Sequence, residues 1–158
     1  MSLAEILALL RTTTTGAVSD VRMRRTLKNS LASRIQPLDP SLRLAGPAVT
    51  VRRKTVALVP RDGERPRDRF IEMIETAAPG SGMVVGSDVE GEAALRGGLL
   101  AAAGARGKLG GGVADGPIRD PSEIVGLKLL AFFTGSVPAR VREFSRMAPW
   151  TGLSPAAA

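Results

Sequence analysis

From Glu72 to Thr134 the sequence alternates helix-period segments with short apolar runs, and this alternation limits the fold more than any other feature. Arg69 to Ala77 carries Phe70, Met73 and Ile74 at helical spacing and stops at Pro79-Gly80-Ser81-Gly82. Met83-Val84-Val85-Gly86 is a short apolar run, best read as a buried strand. Leu99 to Arg106 follows as an Ala-rich helix, Gly111 to Asp115 as a strand, Pro121 to Leu127 as a short helix and Leu129 to Thr134 as another buried strand. Helix and strand in turn predict an α/β layered domain with some parallel pairing. Aromatic residues are only 3% of the chain, so its core must be built from Ala, Val, Leu and Ile. Such small side chains suit helices packed closely on strands.

The remainder of the chain is less regular. Ser2 to Leu10 opens with a capping box, Ser2 and Glu5, and sets Leu3, Ile6, Leu7 and Leu10 on one helical face. Thr12 to Thr15 breaks that helix, and Gly16 to Asp20 opens a second one; Asp20 and Thr13 to Thr15 read as caps. A basic run follows, with Arg22, Arg24, Arg25 and Lys28. Ile35 to Arg43 holds Pro37, Asp39 and Pro40 and reads as irregular chain. Leu44 to Val51 enters a β-branched strand, interrupted by Arg52-Arg53-Lys54 and resuming at Thr55 to Val59. Pro60 to Asp68 reads as a charged surface loop and Ser87 to Gly91 as a polar turn. The 158 residues suffice for one domain, placed at residues 1–148, with a disordered tail at 149–158.

Two absences restrict the chemistry. The chain has no Cys and no His. Thiolate catalysis, disulfides, imidazole bases and Ser-His-Asp triads are therefore excluded. An enzyme built from this chain must use carboxylates, Lys, Arg, hydroxyls, backbone amides or a hard metal held by oxygen. The formal net charge of +7 allows a polyanionic partner such as RNA, although no recognition motif accompanies it. The start of the chain lacks the basic n-region of a signal peptide, and no window of about 18 apolar residues exists. We therefore expect a cytoplasmic protein without a membrane partner.

Eight of the 18 glycines lie between Gly97 and Gly116. Gly97-Gly98 precede the Ala-rich helix, where the amides of Leu99 and Leu100 are placed to meet a carboxylate or phosphate. The segment is neither a Walker loop nor a dinucleotide fingerprint. In Arg119-Asp120-Pro121-Ser122-Glu123, local physics makes Asp120 an N-cap, Pro121 the first helical residue and Glu123 the third position of a capping-box-like pattern. Arg119 lies past the carboxyl end of a strand, the edge at which ligands bind in open α/β sheets. Its guanidinium can grip a carboxylate or stabilise an enolate. Asp115 is a second carboxylate near that edge, with an alternative role as a turn residue bonding backbone N–H groups.

Taken together, these segments resemble the family of the regulator of ribonuclease E activity A and the 4-hydroxy-4-methyl-2-oxoglutarate aldolases. The family motif is a glycine, twenty residues, Arg-Asp, two residues, then Glu or Asp; Gly98, Arg119, Asp120 and Glu123 match it. Thr14 to Asp20, Gly46 to Val51 and Pro79 to Val85 are similar to further family segments. The resemblance implies a swivelling β/β/α fold with a mixed sheet, assembled as a homo-oligomer, a trimer or hexamer with sites between subunits. It implies Mg2+, or another divalent cation such as Mn2+, at Asp120; Glu123 and Asp115 are further carboxylates that could support the site. Arg119 would be the catalytic residue, stabilising a pyruvate enolate, and Gly98, Leu99, Leu100 and Arg119 would bind a small 2-oxo acid. Water on the metal would move the proton. The implied reaction is metal-dependent retro-aldol cleavage of 4-hydroxy-2-oxo acids, or oxaloacetate decarboxylation. The alternative is a non-catalytic regulator that binds a ribonuclease or RNA. The sequence departs from the family pattern at Gly98, where many aldolase members carry Asp or Glu. It also matches little of that pattern beyond Pro138, which reads as a shortened C-terminus.

Overall fold

The computed structural model describes residues 1–25, 34–55, 66–87, 93–139 and 145–149. Its elements are α1 (Leu3–Thr12), α2 (Thr15–Arg24), β1 (Gln36–Pro37), β2 (Ala48–Thr55), α3 (Pro66–Thr76), β3 (Gly82–Ser87), α4 (Gly98–Arg106), β4 (Gly111–Ala114), α5 (Pro121–Gly126), β5 (Leu130–Phe133) and β6 (Ser145–Pro149). The strands form one sheet in the order β1-β5-β4-β3-β2-β6. Strands β2 to β5 are parallel neighbours, while β1 pairs antiparallel with β5 and β6 antiparallel with β2. The alternation predicts this α/β layering and its parallel pairing, and the mixed sheet is the one the resemblance implies.

Each of the four parallel strands lies beside the next one in sequence, so the sheet grows in a single direction. Right-handed crossovers then put α3, α4 and α5 on the same face. Register aligns Met83, Gly112 and Ala131 in one row across that face, and Val51, Val85 and Ala114 in the next. These residues, Gly112 apart, form one buried core with Phe70, Ile74, Ala101, Ile118 and Ile124. The opposite face is less well covered, and Val84, Val113 and Phe132 are half-buried there. Burying this many aliphatic side chains, at about 1.5–3 kcal/mol for each large one, is the main force holding the layers together.

Helix α1 has the expected capping box: Glu5 N–H donates to Ser2 Oγ, and Ser2 N–H donates to Glu5 Oε2. Thr14 caps α2 by accepting from Ala17 N–H, but Asp20 lies inside α2 and is not a cap. Neither helix buries a residue. Strand β2 continues through Arg52, Arg53 and Lys54, where the sequence suggested a break. It is held there by β3 on one side and by β6 on the other. Cross-strand pairing thus overrides the unfavourable strand propensity of the charged triplet. Strands β1 and β6 were not foreseen; β1 is only two residues long and contains Pro37, as an edge strand can. Helix α3 starts at Pro66, so the end of the expected charged loop is helical, and Pro suits a first helical position. Val56 to Val59, most of the loop before Pro66, the turn after Ser87 and the tail beyond Pro149 lie outside the described residues.

Two helices end with a lysine in the left-handed region, Lys108 at φ 56° and Lys128 at φ 52°. At the end of α4, Lys108 N–H donates to Ala105 O and Leu109 N–H to Gly104 O, at 3.1 and 2.9 Å. These two bonds satisfy the last carbonyls of the helix and justify the unusual φ. A tighter fit occurs at Gly46, where a Cβ would collide with the backbone oxygen of Gly80. Gly80 cannot yield easily, because its N–H donates to Lys108 O at 2.8 Å. Gly46→Ala should therefore cost about 3 kcal/mol and lower the thermal unfolding midpoint by roughly 6–12 °C. A melt at the wild-type midpoint would show that Gly46 does not pack against this turn.

Candidate functional site

The parallel strands end along one edge, and α4 and α5 begin just beyond it. Past the strand ends the chain continues in register. Arg96 bridges Ile118, and Ile118 bridges Ser136, both in parallel. Leu95 N–H donates to Pro117 O at 2.8 Å, Arg119 N–H to Arg96 O at 3.0 Å, and Ile118 N–H to Gly135 O at 2.9 Å. This secondary ladder fixes the two helix starts side by side. It is the physical reason that Gly98 and Arg119-Asp120, far apart in sequence, meet in space.

Gly98 N–H donates to Asp120 Oδ2 at 3.2 Å, and Arg119 Nε lies 3.2 Å from the same oxygen. Asp120 adopts φ 57° and ψ 47°, and its side chain makes no capping bond to α5. The expectation that its carboxylate caps the helix is therefore corrected. Only the Asp120 carbonyl serves α5, accepting from Glu123 N–H at 3.1 Å and Ile124 N–H at 3.3 Å. An N-cap normally has extended dihedrals. The left-handed geometry instead turns the carboxylate towards α4 and Arg119. Strain of this sort costs on the order of 1–3 kcal/mol and clusters at functional sites. Unlike the two lysines, Asp120 has no helix-terminating bonds to account for it.

Side chains from the start of α5 approach both glycines closely. A Cβ on Gly97 would lie 2.7 Å from Arg119 Cγ and 2.8 Å from Asp120 Oδ2. A Cβ on Gly98 would overlap Glu123 Oε2. Glu123 thus reaches across to α4, and its capping-box role is not formed, since α5 has no side-chain cap. Asp120 and Glu123 both converge on the Gly97-Gly98 step. Side-chain exposure is 38% for Arg119 and 36% for Asp120, enough for a ligand to reach both. Leu99 and Leu100 occupy the first turn of α4, where N–H groups have no partner one turn earlier.

Asp115 stands apart from this cluster. Its carboxylate pairs with Arg34, Nη2 to Oδ1 at 2.5 Å, rather than with backbone N–H groups of its turn. Arg34 was not anticipated, because the pairing spans 81 residues. Arg96 is 3% exposed and among the most deeply buried polar residues described. Nothing in its local sequence, between Leu95 and Gly97, announces that burial. Among the described residues no three acidic side chains gather as a metal cluster. Mg2+ does not need one: it is commonly held by one or two carboxylates and retains several waters. Asp120 and Glu123, meeting over two glycines, fit that requirement.

A family model described as RraA-like, aldolase/RraA, matches residues 15–148. Solved structures share the fold. One described as a novel cellulase from gut-associated microbes superposes with a TM-score of 0.80 at 23% identity, covering 94% of this chain and 65% of that one. Streptomyces coelicolor RraAS2, described as an unusual member of the RNase ES inhibitor RraA family, gives 0.72 at 22% identity over 92% of this chain and 69% of its own. The RNA-processing inhibitor RraA from Thermus thermophilus gives 0.61 at 18% identity, over 85% and 76%. The chain thus spans a little under two thirds of the first of these proteins. No curated protein matches the sequence. Among the described residues no helix is long and apolar enough to cross a membrane.

Proposed function

The chain belongs to the RraA-like family, which holds both aldolases and ribonuclease inhibitors, and we propose that this member is a divalent-metal-dependent lyase acting on small 2-oxo acids. One observation carries the reading: Asp120 gives up its helix cap and turns, in a strained conformation, to Gly98 N–H and Arg119. A carboxylate and a guanidinium held together beside a glycine-led helix start suit a substrate with one carboxylate and a developing oxyanion.

In this proposal the N–H groups of Leu99 and Leu100 receive the substrate carboxylate, aided by the positive end of α4. Arg119 faces the 2-oxo oxygen, with Asp120 holding its Nε and fixing its plane. In a 4-hydroxy-2-oxo acid the C3–C4 bond breaks, and its electron pair stays on the pyruvate half as an enolate. The 4-hydroxyl loses its proton and becomes a carbonyl. Protonation at C3 then yields pyruvate. Oxaloacetate decarboxylation reaches the same enolate with CO2 leaving. Arg119 stabilises the charge gathering on the enolate oxygen. Asp120 and Glu123 would hold Mg2+ or Mn2+, which when bound would supply positive charge beside the 2-oxo and carboxylate oxygens. Assembly as a homotrimer or hexamer is part of the same proposal.

Pyruvate release from a 4-hydroxy-2-oxo acid or oxaloacetate should require Mg2+ or Mn2+, stop on chelation, and be lost in Asp120→Ala. Intact folded protein that releases no pyruvate with either metal would sink the lyase reading. The +7 net charge favours a second reading, a regulator that binds RNA or a ribonuclease. In that case inactive protein should bind RNA with a steep salt dependence.

A further inference from the structure

The side chain of Arg96 lies against Gly112, on the sheet face that carries Met83 and Ala131. Its guanidinium rests on β4 where Gly112 has no side chain, and a Cβ there would collide with Arg96 Nη1. Nε, Nη1 and Nη2 are all closed off from solvent, and none has a hydrogen-bond partner among the described residues. Among the described residues, Asp115 pairs with Arg34, Asp120 with Gly98 and Arg119, and Glu123 lies beside Gly98.

Such an arrangement is costly. A buried charge without a partner loses its hydration and regains nothing, a penalty of several kcal/mol in proteins. Burial pushes the guanidinium down to about 10, which still leaves it protonated at neutral pH. The charge therefore persists and needs an acceptor that the described residues do not supply. We propose that Arg96 holds a small monovalent anion, the size of chloride or formate, between β4 and α4. The core residues of this layer include Ala101 on α4 and Ala114 and Ala131 on the sheet, all fully buried, and Gly112 shares their face. Small side chains at these positions suit a small ion and exclude a bulky one. This site does not depend on the lyase proposal and uses none of its residues.

The test is thermal unfolding of the full chain at constant ionic strength, with sodium gluconate replaced stepwise by chloride, formate or pyruvate. Gluconate serves as the anion too large to enter. Chloride or formate at saturating concentration should raise the midpoint by about 5–10 °C, as a ligand at a hundred times its Kd does for a domain this size. Arg96→Met should lose the response, while Asp120→Ala should keep it. Stabilisation by chloride and formate alike identifies a free-anion site. Stabilisation by pyruvate alone, dependent on Mg2+ and lost in Asp120→Ala, would place the ligand at the other site and overturn the proposal. A wild-type midpoint equal in gluconate, chloride and formate would also overturn it. That titration needs no variant, so a variant that fails to fold does not leave the question open.

Discussion

Arg119→Ala is expected to lower the turnover of pyruvate release by about 10²–10³-fold, the usual loss when one charge-stabilising donor is removed from an active site. The prediction rests on position. Arg119 sits at the helix-start edge with its Nε 3.2 Å from Asp120 Oδ2, and its aliphatic stem lies against Gly97. One nitrogen is thereby used to fix the plane of the guanidinium, and the other two are left to meet a substrate oxygen. Arg119→Lys keeps the charge but not the planar fork, so its activity should fall between wild type and alanine. Stability should change little, because 38% of the side chain is exposed and the backbone ladder through Arg119 N–H and Arg96 O is untouched. Steady-state kinetics on each variant, beside a thermal melt, separates the two effects. Wild-type turnover in Arg119→Ala would remove this residue from the mechanism.

The same residues show how far the sequence could be followed. The alternation from Glu72 onward was enough to predict three helices, three strands and their layered packing, because period and punctuation there agree. Strand β6 was not legible: Ser145 to Pro149 forms a strand by pairing with β2, a long-range contact that local pattern does not encode. The charged triplet Arg52-Arg53-Lys54 misled for the same reason. At the site, the spacing of Gly98, Arg119, Asp120 and Glu123 could be read from the sequence, but the use of Asp120 could not. Asp-Pro-Ser-Glu is a good N-terminal helix signal, and Pro121 does stand at the first helical position. The side chain departs from it because the ladder of Arg96, Ile118 and Ser136 brings the amide of Gly98 within reach. A tertiary hydrogen bond with an adjacent guanidinium wins over a local cap worth about 1 kcal/mol.

Arg96→Met should stabilise the protein, in contrast to most substitutions in a core. In gluconate, without a small anion, the gain should be about 1–4 kcal/mol, the range found when even paired buried charges are replaced by apolar side chains of similar volume. Methionine suits the test because its flexible thioether can fill the space over Gly112 without a branched carbon near β4. The sign of the pH dependence follows from the direction of the shift. The folded protein holds the Arg96 proton less tightly than the unfolded chain, since burial pushes the group down to about 10. The penalty is therefore fully present below pH 10 and fades as pH rises from there towards the ordinary arginine value. The advantage of Arg96→Met over wild type should be greatest at neutral pH and shrink in strong alkali. Adding chloride or formate at neutral pH should shrink it as well, by stabilising only the wild type. Urea unfolding of both proteins, at pH 7 and above pH 10, measures the difference directly. A variant less stable than wild type in gluconate at pH 7 would mean that Arg96 has a partner within the chain after all, and that its buried charge contributes to the fold.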